Sequence, residues 1–251
     1  MTLAHASTEN WTTLSQEITK KILRDVINHH YRPGSRLPTE RTLAQKFGVT
    51  RQVVRESLKH LEAVGAVTIR QRSGIIVNDL PISCFFEHFE LFLFNDDGSV
   101  DRSCLEEILK FRSDIFIQVV REAAKNRTQE ELDTLKSIAK EFKDTAGDPD
   151  RLLEIMMRFM GMFAQASHNR LYQMLANTGI KVLLKVYSLF VSSSIFFTPE
   201  SRFNAEQTLE AVENRDSELA VILVSRRMAE IDEEVLKKLE KGEFQLSSDA
   251  S

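Results

Sequence analysis

The chain has 251 residues and 42% hydrophobic content, enough to bury cores in two domains or one large one. Its formal charge of −4 hides an asymmetry: residues 1–80 hold 12 Lys+Arg against 7 Asp+Glu, so a basic first third precedes an acidic remainder and a polyanion-binding module is the natural expectation. Two cysteines, Cys84 and Cys104, give no disulfide framework or metal-ligand spacing, there is no secretory-type N-terminus, and the most apolar tract, 180–197, is interrupted by Lys181, Lys185 and serines, so a soluble cytoplasmic protein without a membrane span is expected.

The first apolar repeat, Ile18, Ile22, Leu23, Val26 and Ile27, has helical spacing and predicts a helix running to about Tyr31, before Pro33-Gly34. Thr39 suits an N-cap for a second helix whose Leu43 and Phe47 face inward, and Gly48 supplies the positive φ that stops it. Thr50 then caps a third helix with Val54, Leu58 and Leu61 on its apolar stripe, and Gly65 ends it. Val67 and Ile69, then Ile75 and Val77, alternate around Arg72-Ser73-Gly74 as in a β-hairpin. Three helices followed by a two-stranded wing make a winged helix-turn-helix.

The third helix opens with Arg51, Gln52 and Arg55. Guanidinium and amide groups in the first turn of such a helix are suited to base edges in a major groove. An ordinary solvated surface charge is the competing reading for every basic residue here, and Arg41 can also pair with Glu40 or Glu56.

These residues carry a resemblance. Pro33-Gly34-x-Arg36-Leu37-Pro38-x-Glu40-Arg41, then Val49-Thr50-Arg51-x-x-Val54-Arg55-Glu56-x-Leu58, then the wing, resemble the GntR family of bacterial transcription regulators. The resemblance implies operator contacts at Arg41, Thr50, Arg51, Gln52, Val53 and Arg55, and at the wing tip Arg72, Ser73 and Gly74. Gln52 can pair with adenine or a phosphate, whereas Val53 offers only an apolar contact. Arg72 stands where many relatives have glycine, which makes this wing tip more phosphate-seeking.

From Ile82 onward the pattern holds no convincing strand. Helices are expected over 82–94, 101–126, 128–144, 150–167, 169–197, 202–214 and 216–241, with breaks at 95–98, 147–149 and 198–199. The fold class is therefore mainly α: a winged helix over 1–79, an all-α bundle of about seven helices over 80–242, and a disordered tail over 243–251. The second part resembles the FadR-type effector-binding and dimerisation domain of the same family, through Ala164-Gln165-Ala166-Ser167-His168-Asn169 and Leu209-Glu210-Ala211-Val212.

Many relatives hold a divalent metal through an Asp and three His. The positions that line up here are Met156, Met160, Ala205 and Arg227, none a usable hard ligand, and only His88 and His168 follow residue 80. No metal and no other cofactor are expected. Instead Arg112 interrupts the apolar stripe Leu105, Ile108, Leu109, Ile115 and Phe116, while Arg227 lies between Leu223 and Ile231. A buried arginine needs an acceptor. That acceptor is either an internal carboxylate such as Asp114 or Glu206 (or a dimer contact), or an acidic effector. Met156, Met160, Met162, Met174, Phe159, Phe163, Tyr187 and Phe190 read first as core, though their softness also suits a pocket that adapts to a flexible apolar ligand. Arg112, Met156, Met160, Tyr187 and Arg227 are the effector-site candidates.

The expectation is a homodimeric regulator, acting as a repressor. It would bind a palindromic double-stranded DNA operator and be released or remodelled by a small acidic ligand, such as a fatty acid or acyl thioester. A small organic acid is the alternative effector. An enzyme on the α-bundle is disfavoured, because no nucleophile elbow, phosphate loop or paired His/carboxylate motif is present in the sequence.

Overall fold

The computed structural model describes residues 13–95, 97–145, 148–188 and 199–243, and the chain divides into two compact units, Met1–Asp101 and Arg102–Ser251. In the first unit the helices are α1 (Thr13–Ile27), α2 (Glu40–Phe47), α3 (Arg51–Ala63) and α4 (Ile82–Leu93), with strands β1 (Val67–Arg70) and β2 (Gly74–Val77) between α3 and α4. Each boundary that rests on local chemistry falls where the sequence puts it. Thr39 Oγ1 accepts from Thr42 N at 3.3 Å and Thr50 Oγ1 from Val53 N at 3.4 Å, each satisfying one of the orphan donors at a helix start. Gly48 closes α2 at φ +67°. Gly65 follows α3 at φ +78°, and a Cβ there would come within 3.0 Å of the Pro81 ring, so glycine is required twice over.

α1 ends at Ile27, with the last residue of its apolar repeat and short of the expected end near Tyr31. His29 takes the left-handed conformation at φ +57° and turns the chain, with Tyr31 N donating to Asp25 O. A non-glycine residue there is uncommon, which is why the pattern gave no warning.

The core of this unit is built from the inward stripes of α1 and α3, closed by Leu37, Leu43 and one face of the hairpin. Ile22, Leu23, Leu43, Leu58 and Leu61 are all fully buried, and each such side chain contributes roughly 1.5–3 kcal/mol by leaving water. Where α1 and α3 meet, the wholly buried Ser57 hydroxyl lies 2.9 Å from Ser15 O and from Val53 O, so its polar group is satisfied without breaking the close approach. The strands pair antiparallel with Val67 opposite Val77 and Arg70 opposite Gly74. The outer edge of β2 is met by residues 34–37, with Leu37 N donating to Ile75 O and Val77 N to Ser35 O, both at 2.9 Å.

α4 was expected to open the second domain, but it lies in the first unit and packs on α1, with buried Cys84 joining that unit's core. Burial pushes the Cys84 thiol up to about 11, so it is a core group rather than a nucleophile. The helix is kinked at His88 (φ −127°, ψ 30°).

The second unit comprises α5 (Arg102–Asn126), α6 (Gln129–Asp144), α7 (Pro149–Ala166), α8 (Arg170–Ser188), α9 (Pro199–Glu213) and α10 (Ser217–Glu240). Among the described residues seven helices follow the wing, in keeping with the sequence, but six of them form this bundle. α5 packs along α10, α10 on α9, and α7 against α5, α6 and α8. Its core includes Phe116, Val120, Leu132, Leu135, Phe163, Val212 and Val224. Thr128 and Glu131 form a reciprocal capping box at the start of α6, and Asp148 caps α7 ahead of Pro149.

Two arginines lock the ends of α5 and α9 together. Arg127, just past α5, donates from Nη2 to Glu213 O at 2.7 Å and from Nε to Val212 O at 3.4 Å. Arg215, just past α9, returns the arrangement by donating to Lys125 O and Arg127 O. Each cation satisfies the unpaired carbonyls of the other helix's C-terminus, where its charge is also favoured by the helix dipole. Among the described residues no helix is long and apolar enough to cross a membrane. The expected tail beyond Glu243 and the far end of the helix expected over 169–197 lie outside the described residues.

Candidate functional site

Two places hold most of the described residues that the sequence singles out, one in each unit. In the first unit, α2 and α3 are joined by the tight turn Gly48-Val49-Thr50, which sets the first turn of α3 on the surface. Arg51, Gln52 and Arg55 are exposed there, as is Arg41 on α2. Val53 is half-buried and packs against the core, so part of its apolar surface is already used. Beyond β1, Gln71 and Arg72 are exposed, Ser73 is half-buried, and Gly74 opens β2 at φ +79°.

Arg55 is the exception among these cations. Its Nε and Nη2 donate to Glu40 Oε1 and Oε2 at 3.3 and 3.1 Å. The sequence offered Glu40 to Arg41 instead, but successive residues on a helix do not face each other, whereas the turn brings α3 back beside the start of α2. Bonding to that carboxylate raises the Arg55 guanidinium still further above its usual value, so it stays charged. Glu56, the other partner offered to Arg41, is half-buried.

In the second unit a cavity of about 110 Å³ opens between five helices. Phe116 of α5, Ile138 and Phe142 of α6, and Ile155, Met156, Phe159, Met160 and Phe163 of α7 form most of its wall. Ala205 and Thr208 of α9 and Val224, Arg227, Met228 and Ile231 of α10 complete it. Phe163 sets the aromatic floor, edge-to-face with Phe116 at 5.8 Å and Phe159 at 5.0 Å. Arg227 carries the charge among these wall residues: its side chain is 15% exposed, and Nη1 lies 3.3 Å from Glu230 Oε2.

Met156, Met160, Ala205 and Arg227 all border this one cavity. The four positions that the resemblance sets against metal ligands thus line one space. Their chemistry does not fit a divalent cation, since two thioethers, a methyl group and a guanidinium are not hard donors. Among the described residues no group of three or more His, Cys, Asp or Glu could hold a metal.

Arg112 parts company with Arg227. It lies outside the cavity wall, its side chain 3% exposed, and pairs with Asp232 of α10, while Ser113 Oγ donates to the other Asp232 oxygen at 3.1 Å. Burial lifts the Asp232 carboxyl above its usual range, and Arg112 and Ser113 pull it back. Asp114 and Glu206, the carboxylates offered to Arg112 from sequence, are instead held by Lys110 at 2.7 Å and Lys143 at 2.8 Å. The side chain of Tyr187 and all of Phe190 lie outside the described residues, Met162 packs in the core, and Met174 is exposed. Phe142, Thr208 and Met228 are further wall residues, not among the candidates drawn from the sequence. Met228 had a signal, being four residues on from Val224 on the inner stripe of α10.

Comparison with known proteins places both units. Residues 14–77 match the family described as bacterial regulatory proteins, gntR family, and residues 107–230 match the FCD domain. The chain is 30% identical over 182 residues to a fatty acid metabolism regulator protein of Pasteurella multocida, covering 72% of this chain and 71% of that one. It is 35% identical over 137 residues to the HTH-type transcriptional regulator Mce2R of Mycobacterium tuberculosis, spanning little more than half (56%) of that relative's length. Among solved structures, Streptococcus agalactiae GntR aligns over 88% of this chain and 99% of its own, with a TM-score of 0.49 and 18% identity.

Proposed function

The chain belongs to the gntR family of bacterial regulatory proteins, with an FCD domain as its second unit, and we propose that it is a DNA-binding transcription regulator whose second unit binds an apolar ligand with an acidic head. The observation that carries the first half is the exposed, positively charged opening of α3 in a winged helix: Arg51, Gln52 and Arg55 in its first turns, with Arg41 on α2 and Arg72 at the wing tip exposed as well. A helix so equipped is suited to the major groove, and the wing-tip cation to the phosphate backbone. The protein acts as a homodimer on a palindromic operator in the cytoplasm, as a repressor, and the ligand remodels or releases the complex by favouring one arrangement of the dimer.

The ligand reading rests on the wall chemistry of the cavity. Met and Phe side chains adapt to a flexible apolar body, and Arg227 at the edge of an otherwise apolar wall supplies the counter-charge for a carboxylate or thioester-linked anion. A fatty acid or its thioester meets both demands, in keeping with the name of the Pasteurella relative. A small organic acid is less well served, since it needs more polar partners than Thr208 and Arg227 provide.

The test is enrichment of bound duplexes from a randomised DNA pool, followed by challenge of the winning duplex with fatty acids. The expected result is a short palindromic consensus whose complex is weakened by long-chain carboxylates. No enrichment above the starting pool rejects the DNA reading, and a complex indifferent to every carboxylate rejects the ligand reading.

A further inference from the structure

A carboxylate is paired with one of the exposed basic residues of the first unit. Glu40, the first residue of α2, meets Arg55, the fifth of α3, across the turn between the two helices. The contact is a fork on a fork, with Nε to Oε1 at 3.3 Å and Nη2 to Oε2 at 3.1 Å. As a stabilising device it counts for little, because the Arg55 side chain is 65% exposed and such pairs are screened by water. Among the described residues, no carboxylate clamps Arg41, Arg51 or Arg72 in this way.

The geometry of a guanidinium says what the clamp can do. Its five N–H groups form two edges able to engage a planar pair of acceptors, the Nε/Nη2 edge and the Nη1/Nη2 edge. Glu40 takes the first. The second remains, and its spacing matches the O6 and N7 acceptors of guanine. The carboxylate also cancels most of the charge that would draw Arg55 to a phosphate. A clamped arginine keeps one geometry and has its ordering cost met before DNA arrives, which favours directional readout over loose attraction.

We propose that Glu40 is a specificity-determining positioning residue that directs Arg55 to a guanine base edge rather than to the DNA backbone. This rests on the DNA-binding reading above. Loss of the clamp frees Arg55 for phosphates, so DNA in general is bound more tightly and the one guanine is no longer distinguished.

The experiment uses the full chain and a duplex enriched from a randomised pool, with every base pair of one half-site replaced in turn. The parent should lose about tenfold or more in affinity when one particular guanine is replaced. Glu40→Gln and Glu40→Asp should both reduce that discrimination to about threefold or less at that position alone, discrimination elsewhere being retained. Glu40→Asp keeps the negative charge at the start of α2, so it separates the clamp from any effect on the helix. The salt dependence of Glu40→Gln should also steepen by about one unit per chain, as Arg55 turns to phosphates. Discrimination unchanged in both variants, or lost evenly across the half-site, overturns the proposal. If the parent enriches a site that Arg51→Ala weakens while Glu40→Gln reads it like the parent, the clamp fails and the DNA reading stands. If the parent enriches nothing, both fall together.

Discussion

The two units use the same side chain in opposite ways. In the first, arginines stand in water at the opening of α3, on α2 and at the wing tip, where they add nothing to the core. In the second, Arg112 and Arg127 are buried, one in an ion pair with Asp232 and the other on the carbonyls that end α9. An exposed guanidinium costs little to maintain and remains available to a polyanion. A buried one must be matched inside the fold, and is then committed. Arg227 lies between these cases: mostly buried, near Glu230, yet part of a cavity wall. Residue type therefore does not separate binding arginines from structural ones; burial against an internal acceptor does, since Arg55 keeps an exposed side chain beside Glu40 whereas Arg112 is enclosed with Asp232.

The largest effect that could break this contrast is on stability. Arg112→Ala should destabilise the second unit by about 3 kcal/mol, since it leaves the half-buried Asp232 carboxylate without its cation. Urea unfolding checks it, and pairing the change with Asp232→Leu should recover much of the loss by removing the stranded charge. Arg51→Ala should stay within about 0.5 kcal/mol of the parent in the same assay. A costly Arg51→Ala or a harmless Arg112→Ala would abolish the distinction.

Next comes DNA affinity. Arg51→Ala should weaken binding to the enriched duplex by about 1–3 kcal/mol, measured by fluorescence anisotropy. Arg72→Gly should weaken all sequences alike and flatten the salt dependence by about one unit, the sign of a phosphate contact.

The division between legible and hidden features follows the range of the interactions. Thr39, Gly48, Thr50 and Gly65 could be placed from sequence because a cap is decided by neighbours three or four residues away. The end of α1 at Ile27 could not, since the left-handed turn at His29 that follows is held by bonds that no composition rule announces. α4 was read correctly as a helix, but an apolar stripe does not say which core it joins, and it joins that of the first unit. Buried Arg112 was legible as an arginine on an inner stripe, yet its partner lies 120 residues away on α10. Glu40 beside Arg55 is the same case at a range of 15 residues. Met156, Met160, Ala205 and Arg227 were grouped through the family resemblance, and they do line one space, although periodicity alone could not have joined α7, α9 and α10 around it.

A smaller effect sharpens the comparison from the side of pH. Burial holds His88 and His60 below the usual imidazole range, with their mutual repulsion lowering His60 further, and His88 Nε2 is buried without a hydrogen-bond partner among the described residues. The unfolded chain takes up protons at about pH 6.5, while the folded one resists until lower pH. The stability of the first unit should therefore be full above about pH 6.5 and fall as pH drops below it. Protection factors for amide exchange in α1, α3 and α4 at pH 7 and pH 5 measure this, and His88→Gln should flatten the response. Equal protection at both pH values in the parent would show that neither histidine is held neutral by the fold.

The most direct test sets two variants against two ligands. Arg51→Ala and Arg227→Ala are each measured for affinity to the enriched duplex and for thermal stabilisation by saturated carboxylates of increasing chain length. Arg51→Ala should lose DNA affinity and keep a stabilisation that grows with chain length. Arg227→Ala should bind the duplex like the parent and lose most of that stabilisation, because the cavity wall then lacks its cation. The account is contradicted if Arg227→Ala responds to the carboxylates as the parent does, or if Arg51→Ala holds the duplex as tightly as the parent.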